Sequence, residues 1–264
     1  VRLTLCGAFG LEPRESDAPL PGGQARQALL YLAAHHDRIV RRDVLVDVVW
    51  PEQAPQDPDA VLSTLLSRLR PLIAPARLES AGGGVALRLP EGSGVDLEEA
   101  EAALVSAQAA LAGGDGRLAW SDAARALAVV EAGYLPEHDA DWTRRPRELV
   151  EMMRVDALEC RANAAAAAGD PALLPVGEQA GRLAVALAPL RESAHEALMN
   201  VLSARGNDAE ALAVYERLRR HLLDELGVAP SAALRRRHEE LLRGDGLVAV
   251  VANGGAPSAD GGPG

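Results

Sequence analysis

The spacing of apolar residues changes period along the chain. In "VRLTLCGAFGLEPRE" it alternates: Val1, Leu3 and Leu5 fall on one face, Arg2 and Thr4 on the other, with Gly7 and Gly10 as breaks. That pattern predicts short strands joined by tight turns. In "PGGQARQALLYLAAHHDRIV" the apolar positions Ala25, Ala28, Leu29, Leu32 and Ala33 follow helical spacing. "RRDVLVDVVWPE" predicts a short second helix stopped by Pro51. A third helix begins where Asp57 or Asp59 can cap it, with Pro58 in its first turn, and Leu62, Leu65, Leu66 and Leu69 form its buried stripe. "RLESAGGGVALRLPEGSGVDLEE" returns to strand-like pieces around Gly82 to Gly84, the pattern of a β-hairpin.

Strands, three helices and a hairpin, in that order, predict a winged helix: the second and third helices form a helix-turn-helix and the hairpin is the wing. From Asp96 onward the pattern is helical, with helices expected over 96–112, 116–132, 140–168, 176–188, 191–205, 208–226 and 230–243. The expected fold is therefore mainly α. An N-terminal winged helix (α+β) occupies 1–94, an all-α tetratricopeptide-like helical domain 95–243, and a disordered tail 244–264. "GGDGRLAWSDAARAL" and "ARGNDAEALAVYERL" each place a small residue five positions after a glycine, Gly114 to Ala119 and Gly206 to Ala211. Small residues there let paired helices approach closely, as in tetratricopeptide pairs, although no fixed period holds. A third copy starting at Gly169 is interrupted by Pro171 and Pro175.

Composition sharpens this picture. Only 3% of residues are aromatic, so Leu, Ala and Val must build the core, which favours packed helices. The net charge is -11, and it is unevenly placed: residues 1–93 carry 10 Arg against 11 acids, residues 94–264 carry 17 against 27. This excludes indiscriminate nucleic-acid binding but leaves room for a DNA-binding face on the near-neutral first part. No long apolar run or signal peptide is visible, so a cytoplasmic location without membrane contact is expected. Cys6 and Cys160 stand alone, which excludes a zinc cluster built on cysteines and disfavours a disulfide.

Towards its C-terminal end, "PLRESAHEALMNVLSARGNDAEALAVYERLRRHLLDELGVAPSAALRRRHEELL", Pro189 to Leu242, resembles the bacterial transcriptional activator domain of Streptomyces antibiotic regulatory proteins. The elements "PLRE", H-x-x-L-M, Y-x-x-L-R and "ELG-x-x-PS" occur in the family's order. "AGYLPEHDADW", "LPGGQARQALLYLAAH" and "LLSRLRPLI" are similar to its other parts, so the resemblance spans about residues 1–243. It implies a DNA-binding transcription regulator whose helical domain dimerises or contacts RNA polymerase and other partners. The chain departs from the family in its recognition helix. Only Arg68 and Arg70 remain there as cations, Asp57 and Asp59 sit at the entrance, and Pro71 is expected to bend or stop the last turn. The wing, "GGGVALRL", lacks the family's usual aromatic.

The candidate DNA contacts are Ser63, Thr64, Ser67, Arg68 and Arg70 on the third helix, with Arg41, Arg42 and Arg88 as phosphate grips. Spacing alone favours an amphipathic helix with a polar outer face; the resemblance tips the reading to DNA. Ala60 shares the outward face. His35 and His36 read as helix-end residues rather than metal ligands, His138 as part of a polar loop, and His195 and His238 as packing or surface positions. Trp50, Trp120 and Trp142 read as core anchors, and Tyr215 as a helix-pair packing residue. "RRPRE" (Arg144 to Glu148) and "RRR" (Arg235 to Arg237) read as solvated faces with Glu partners. No GxxxxGK[ST], GxSxG or HExxH occurs, and the chain has no lysine, so catalysis, a cofactor and a metal are not expected.

The function expected is a transcriptional regulator that binds double-stranded DNA at repeated half-sites as a homodimer and recruits RNA polymerase or another protein. The alternative is a protein-interaction module that keeps the fold around a degenerate recognition helix. A third reading, the front end of a larger sensor, rests on the glycine-rich stretch after Leu247.

Overall fold

The computed structural model of the protein describes residues 1–244; the expected disordered tail therefore lies outside the described residues, save Gly244. The chain is mainly helical and divides into two compact units. The first comprises Val1–Glu101 and Val129–Val150, the second Ala102–Ala128 and the residues from Glu151 onward.

In the first unit, β1 (Arg2–Thr4) pairs antiparallel with β2 (Gly10–Glu12) and parallel with β6 (Gly94–Val95). The alternation read from the sequence holds, since Leu3, Leu5 and Leu11 are buried. Helices α1 (Gly23–Ala34), α2 (Arg42–Val49) and α3 (Pro58–Ile73) follow, with β3 (Val40–Arg41) leading into α2. The second sheet is β3-β5-β4, formed with the hairpin of β4 (Arg77–Ala81) and β5 (Gly84–Arg88). Its two-residue turn is Gly82-Gly83, both with positive φ (56° and 76°), which matches the twist of the flanking strands. Gly84 is glycine for a different reason: a Cβ there would lie 2.5 Å from the Val40 carbonyl oxygen, so any side chain would push β3 away.

The core of this unit is leucine-rich. Leu29, Leu32, Leu45, Leu62, Leu66, Leu69, Ile73 and Leu87 are at most 2% exposed. Residues 129–150 add to it through backbone bonds: Gly7 N–H donates to Gly133 C=O, and Leu135 N–H to Leu5 C=O. Two polar side chains fasten these junctions. Buried Asp96 accepts the N–H groups of Leu5, Cys6 and Leu97 at 2.8–2.9 Å. Arg147 donates to the carbonyls of Tyr134, Leu135 and His138. Arg147 thus departs from the solvated role expected of "RRPRE": its guanidinium is spent on backbone oxygens that have no strand partner.

The second unit is built from residues of α4 (Asp96–Ala112), α5 (Gly116–Val130) and α6 (Arg144–Ala167), together with α7 (Leu174–Leu187), α8 (Glu192–Ala204), α9 (Asp208–Leu226) and α10 (Ala232–Arg243). A short 3-10 turn, Asp141–Thr143, precedes α6 within the first unit. The expected helices are all present, with ends moved by up to four residues.

Alanine and glycine let the helices of the second unit pack closely. Ala119 sits against Ala110 and Ala164, and Ala211 is fully buried in the α8–α9 core. The third copy exists too. Its helix starts at Leu174, three residues later than in the other two, and Gly177 takes the small-residue position. Asn163 on α6, Asn200 on α8 and Arg237 on α10 form a hydrogen-bonded row at 3.0 and 2.8 Å, successive members lying 37 positions apart in the sequence. Arg237 is therefore committed to Asn200 as well as to Glu240.

Candidate nucleic-acid interface

Asp57 caps α3, its Oδ1 accepting the Ala60 N–H at 3.1 Å, and Pro58 occupies the first turn. The helix continues past Pro71 to Ile73, so the proline removes one N–H without ending the helix. Leu62, Leu66, Leu69 and Ile73 are buried and Leu65 is half-buried. The same 3.6-residue period leaves Ala60, Ser63, Thr64, Ser67, Arg68 and Arg70 exposed on the opposite side. The five candidate residues on α3 therefore share one outward face of a helix anchored by its core.

Their hydrogen bonds are mostly internal. Ser63 Oγ donates to the Asp59 carbonyl at 2.8 Å and Thr64 Oγ1 to the Ala60 carbonyl at 3.0 Å, leaving both hydroxyls with acceptor capacity. Arg70 reaches Ser67 Oγ at only 3.5 Å, and Arg68 makes no ion pair or hydrogen bond with another described residue.

The three arginines off α3 are in a different state. Arg42 donates Nε to Asp59 Oδ1 (2.9 Å) and Nη2 to both the Asp59 carbonyl (2.9 Å) and Ser63 Oγ (2.8 Å). This ties the start of α2 to the first turn of α3. Arg41 is paired with Asp43, whose carboxyl is held below its usual range by that guanidinium. Arg88 donates Nε to Glu79 at 2.8 Å across the hairpin. The structure thus joins Arg42 to α3, while Arg41 and Arg88 each pair with a nearby acid.

Neither Asp59 nor Glu79 stands out in the sequence as an arginine partner. The second can still be derived: a two-residue turn at Gly82-Gly83 sets Glu79 opposite Ala86 and diagonal to Arg88. The Arg42–Asp59 link crosses 17 residues between two helices, and no local spacing signals it.

His35 and His36 place Nδ1 on the carbonyls of Tyr31 and Ala33 at the end of α1. His195 is buried on the Arg191 carbonyl, and His238 stacks on Tyr215. Burial raises both thiols, Cys6 to about 12 and Cys160 to about 11, so neither is a nucleophile at neutral pH. Among the described residues no group of His, Cys, Asp or Glu is placed to hold a metal ion, and no helix is long and apolar enough to cross a membrane.

Comparison with known proteins agrees with this architecture. The family "Bacterial transcriptional activator domain" matches residues 95–242. The chain is 32% identical to the regulatory protein AfsR of Streptomyces coelicolor, with 93% of the chain aligned, and 32% identical to AfsR of Streptomyces griseus, with 97% aligned. It spans about a quarter of the length of these two relatives. It is 30% identical to the transcriptional regulator RedD of Streptomyces coelicolor, covering 95% of the chain and 73% of RedD. Among solved structures, Mycobacterium tuberculosis EmbR, in complex with a low-affinity phosphopeptide, superposes with a TM-score of 0.72 at 22% identity. That match covers 92% of this chain and 65% of EmbR, and it shows a shared fold. With most of RedD covered and more than half of the chain matched by the activator domain, the chain belongs to the Streptomyces antibiotic regulatory protein family of transcriptional regulators.

Proposed function

We propose that the chain is a cytoplasmic transcriptional activator that sets α3 in the major groove of double-stranded DNA. Residues 1–94 would act as the DNA-binding domain and 95–243 as the activator domain, its helix pairs stacked in tetratricopeptide fashion. The single observation that carries this reading is the outward face of α3. Ser63, Thr64, Ser67, Arg68 and Arg70 are exposed together on a helix whose other face is fixed in the core. Arginine can grip guanine with two hydrogen bonds, and hydroxyls bind bases or phosphates. Arg41, Arg42 and Arg88 add phosphate contacts only by exchanging an acid partner for a phosphate. Affinity per protomer is therefore modest, and a homodimer on repeated half-sites raises it by orders of magnitude. The acidic helical part recruits RNA polymerase or another protein.

The test is selection of bound duplexes from a random pool, followed by anisotropy titration at two salt concentrations. An enriched repeated half-site is expected, and a variant carrying both Arg68→Ala and Arg70→Ala should lose binding to it. Those same acid pairs favour a second reading, a protein-interaction module without DNA binding. That reading predicts no enrichment at the lower salt and a partner retained by the double variant.

A further inference from the structure

The positive charge of the first unit is not where the candidate phosphate grips lie. Around the entrance of α3, Arg41 and Arg42 are matched by Asp43 and Asp59, and Asp57 adds a further acid. At the other end of the helix the balance reverses. Among the described residues Arg68 has no acid partner, Arg70 has only the long contact to Ser67, and Arg77 at the start of β4 makes no side-chain hydrogen bond or ion pair.

The hairpin register explains why Arg77 is uncompensated. Arg77 pairs with Arg88 across the hairpin, and both side chains are exposed. Glu79, the one acid on that face of β4, is committed to Arg88. Two guanidiniums are thus set against one carboxylate, which pairs with Arg88, and the leftover charge belongs to Arg77.

An open concavity of about 400 Å³ lies between these elements, with Arg70 from α3 and Arg77 from β4 on its walls and Ala74 to Ala76 between them. Among the described residues its one acid is Glu15, whose carboxylate pairs with neither arginine, although the Glu15 N–H is fastened to the Ala74 carbonyl at 2.8 Å. Two arginines lining one concavity between helix and hairpin supply the charge and donors that match a phosphodiester.

We propose that this concavity seats a backbone phosphate of bound DNA between Arg70 and Arg77, so that Arg77 is a DNA contact and the C-terminal end of α3 is the main phosphate grip. The assignment rests on the DNA-binding reading above. A phosphate contact carries no base information, so it lowers affinity for every sequence alike when lost.

The experiment uses the full chain, the duplex recovered by selection and a scrambled duplex, titrated by anisotropy across a salt series. Arg77→Ala should weaken binding to both duplexes by roughly tenfold at low salt and reduce the salt slope by about one unit. Glu15→Gln should tighten binding to both by about threefold, since it removes the acid beside the phosphate. A thermal melt of each variant checks that the fold is kept. Wild-type affinity and slope in a folded Arg77→Ala, on a duplex the parent binds, would overturn the phosphate seat while leaving DNA binding intact. An Arg77→Ala that loses only the selected duplex would also overturn it, because it would make Arg77 a base reader. A parent protein that binds neither duplex overturns the DNA-binding reading itself, and this assignment falls with it.

Discussion

Asp59 is bound to Arg42 through both its carboxylate and its carbonyl oxygen, and the same guanidinium reaches Ser63. Arg42 is largely covered, with 28% of its side chain exposed, whereas the Asp59 side chain is 71% exposed and faces solvent where a phosphate would approach. On the proposed reading the acid does two things to DNA affinity. It repels phosphate, and it occupies a cation that phosphate would use. Asp57, not Asp59, caps the helix, so removing the Asp59 charge leaves α3 in place. Asp59→Asn should therefore raise DNA affinity by about threefold and steepen its salt dependence, measured by anisotropy on the selected duplex. A fall in affinity would mean that Asp59 aims Arg42 at DNA instead of restraining it.

At the scale of elements, the second unit depends on close helix approach. Gly177 on α7 faces Ala165 of α6, and a Cβ there would sit 2.3 Å from the Ala165 Cβ. Glycine in a helix costs about 1 kcal/mol relative to alanine, so a surface position would be stabilised by Gly177→Ala. Here overpacking, on the order of 1–3 kcal/mol, outweighs that gain. The variant should lower stability by about 1–2 kcal/mol in urea unfolding; an increase would show that the helices shift apart freely. Most elements were legible because apolar period and helix punctuation are local signals: the α3 stripe and the Gly82-Gly83 turn needed no distant information. The displaced third repeat was not legible as such. Pro171 and Pro175 look like breakers in sequence, yet Pro175 sits in the first turn of α7, where its missing N–H costs nothing. The candidate site was legible as a face of α3 but not in its charge state, because Arg42–Asp59 is a contact between helices and Arg77 stands out only once the concavity has formed.

The whole molecule responds to pH through three histidines buried or half-buried in its two units. His35, His138 and His195 are all shifted below the ordinary 6.5, first of all by burial. The unfolded chain then takes up protons before the folded one as pH falls through 6.5, so stability is full above that value and declines below it. Glu159, raised by burial, acts in the opposite sense closer to its ordinary 4.5. The thermal midpoint should fall between pH 7.5 and 5.5, and a midpoint unchanged across that range would show that the three rings protonate in the folded state without penalty. The inclusion of residues 129–150 in the first unit has a consequence in time. Tyr134 and Leu135 offer the backbone that meets Cys6 and Leu5, and Arg147 holds that stretch in shape. A chain emerging from the ribosome reaches these residues well after the wing has been made, and a polypeptide stopped after residue 94 would leave the edge beside Leu5 to Gly7 unpaired. On these contacts, the last edge of the nascent winged helix should close only once synthesis has passed residue 150, by which point the segment matched to the activator domain is already more than a third translated.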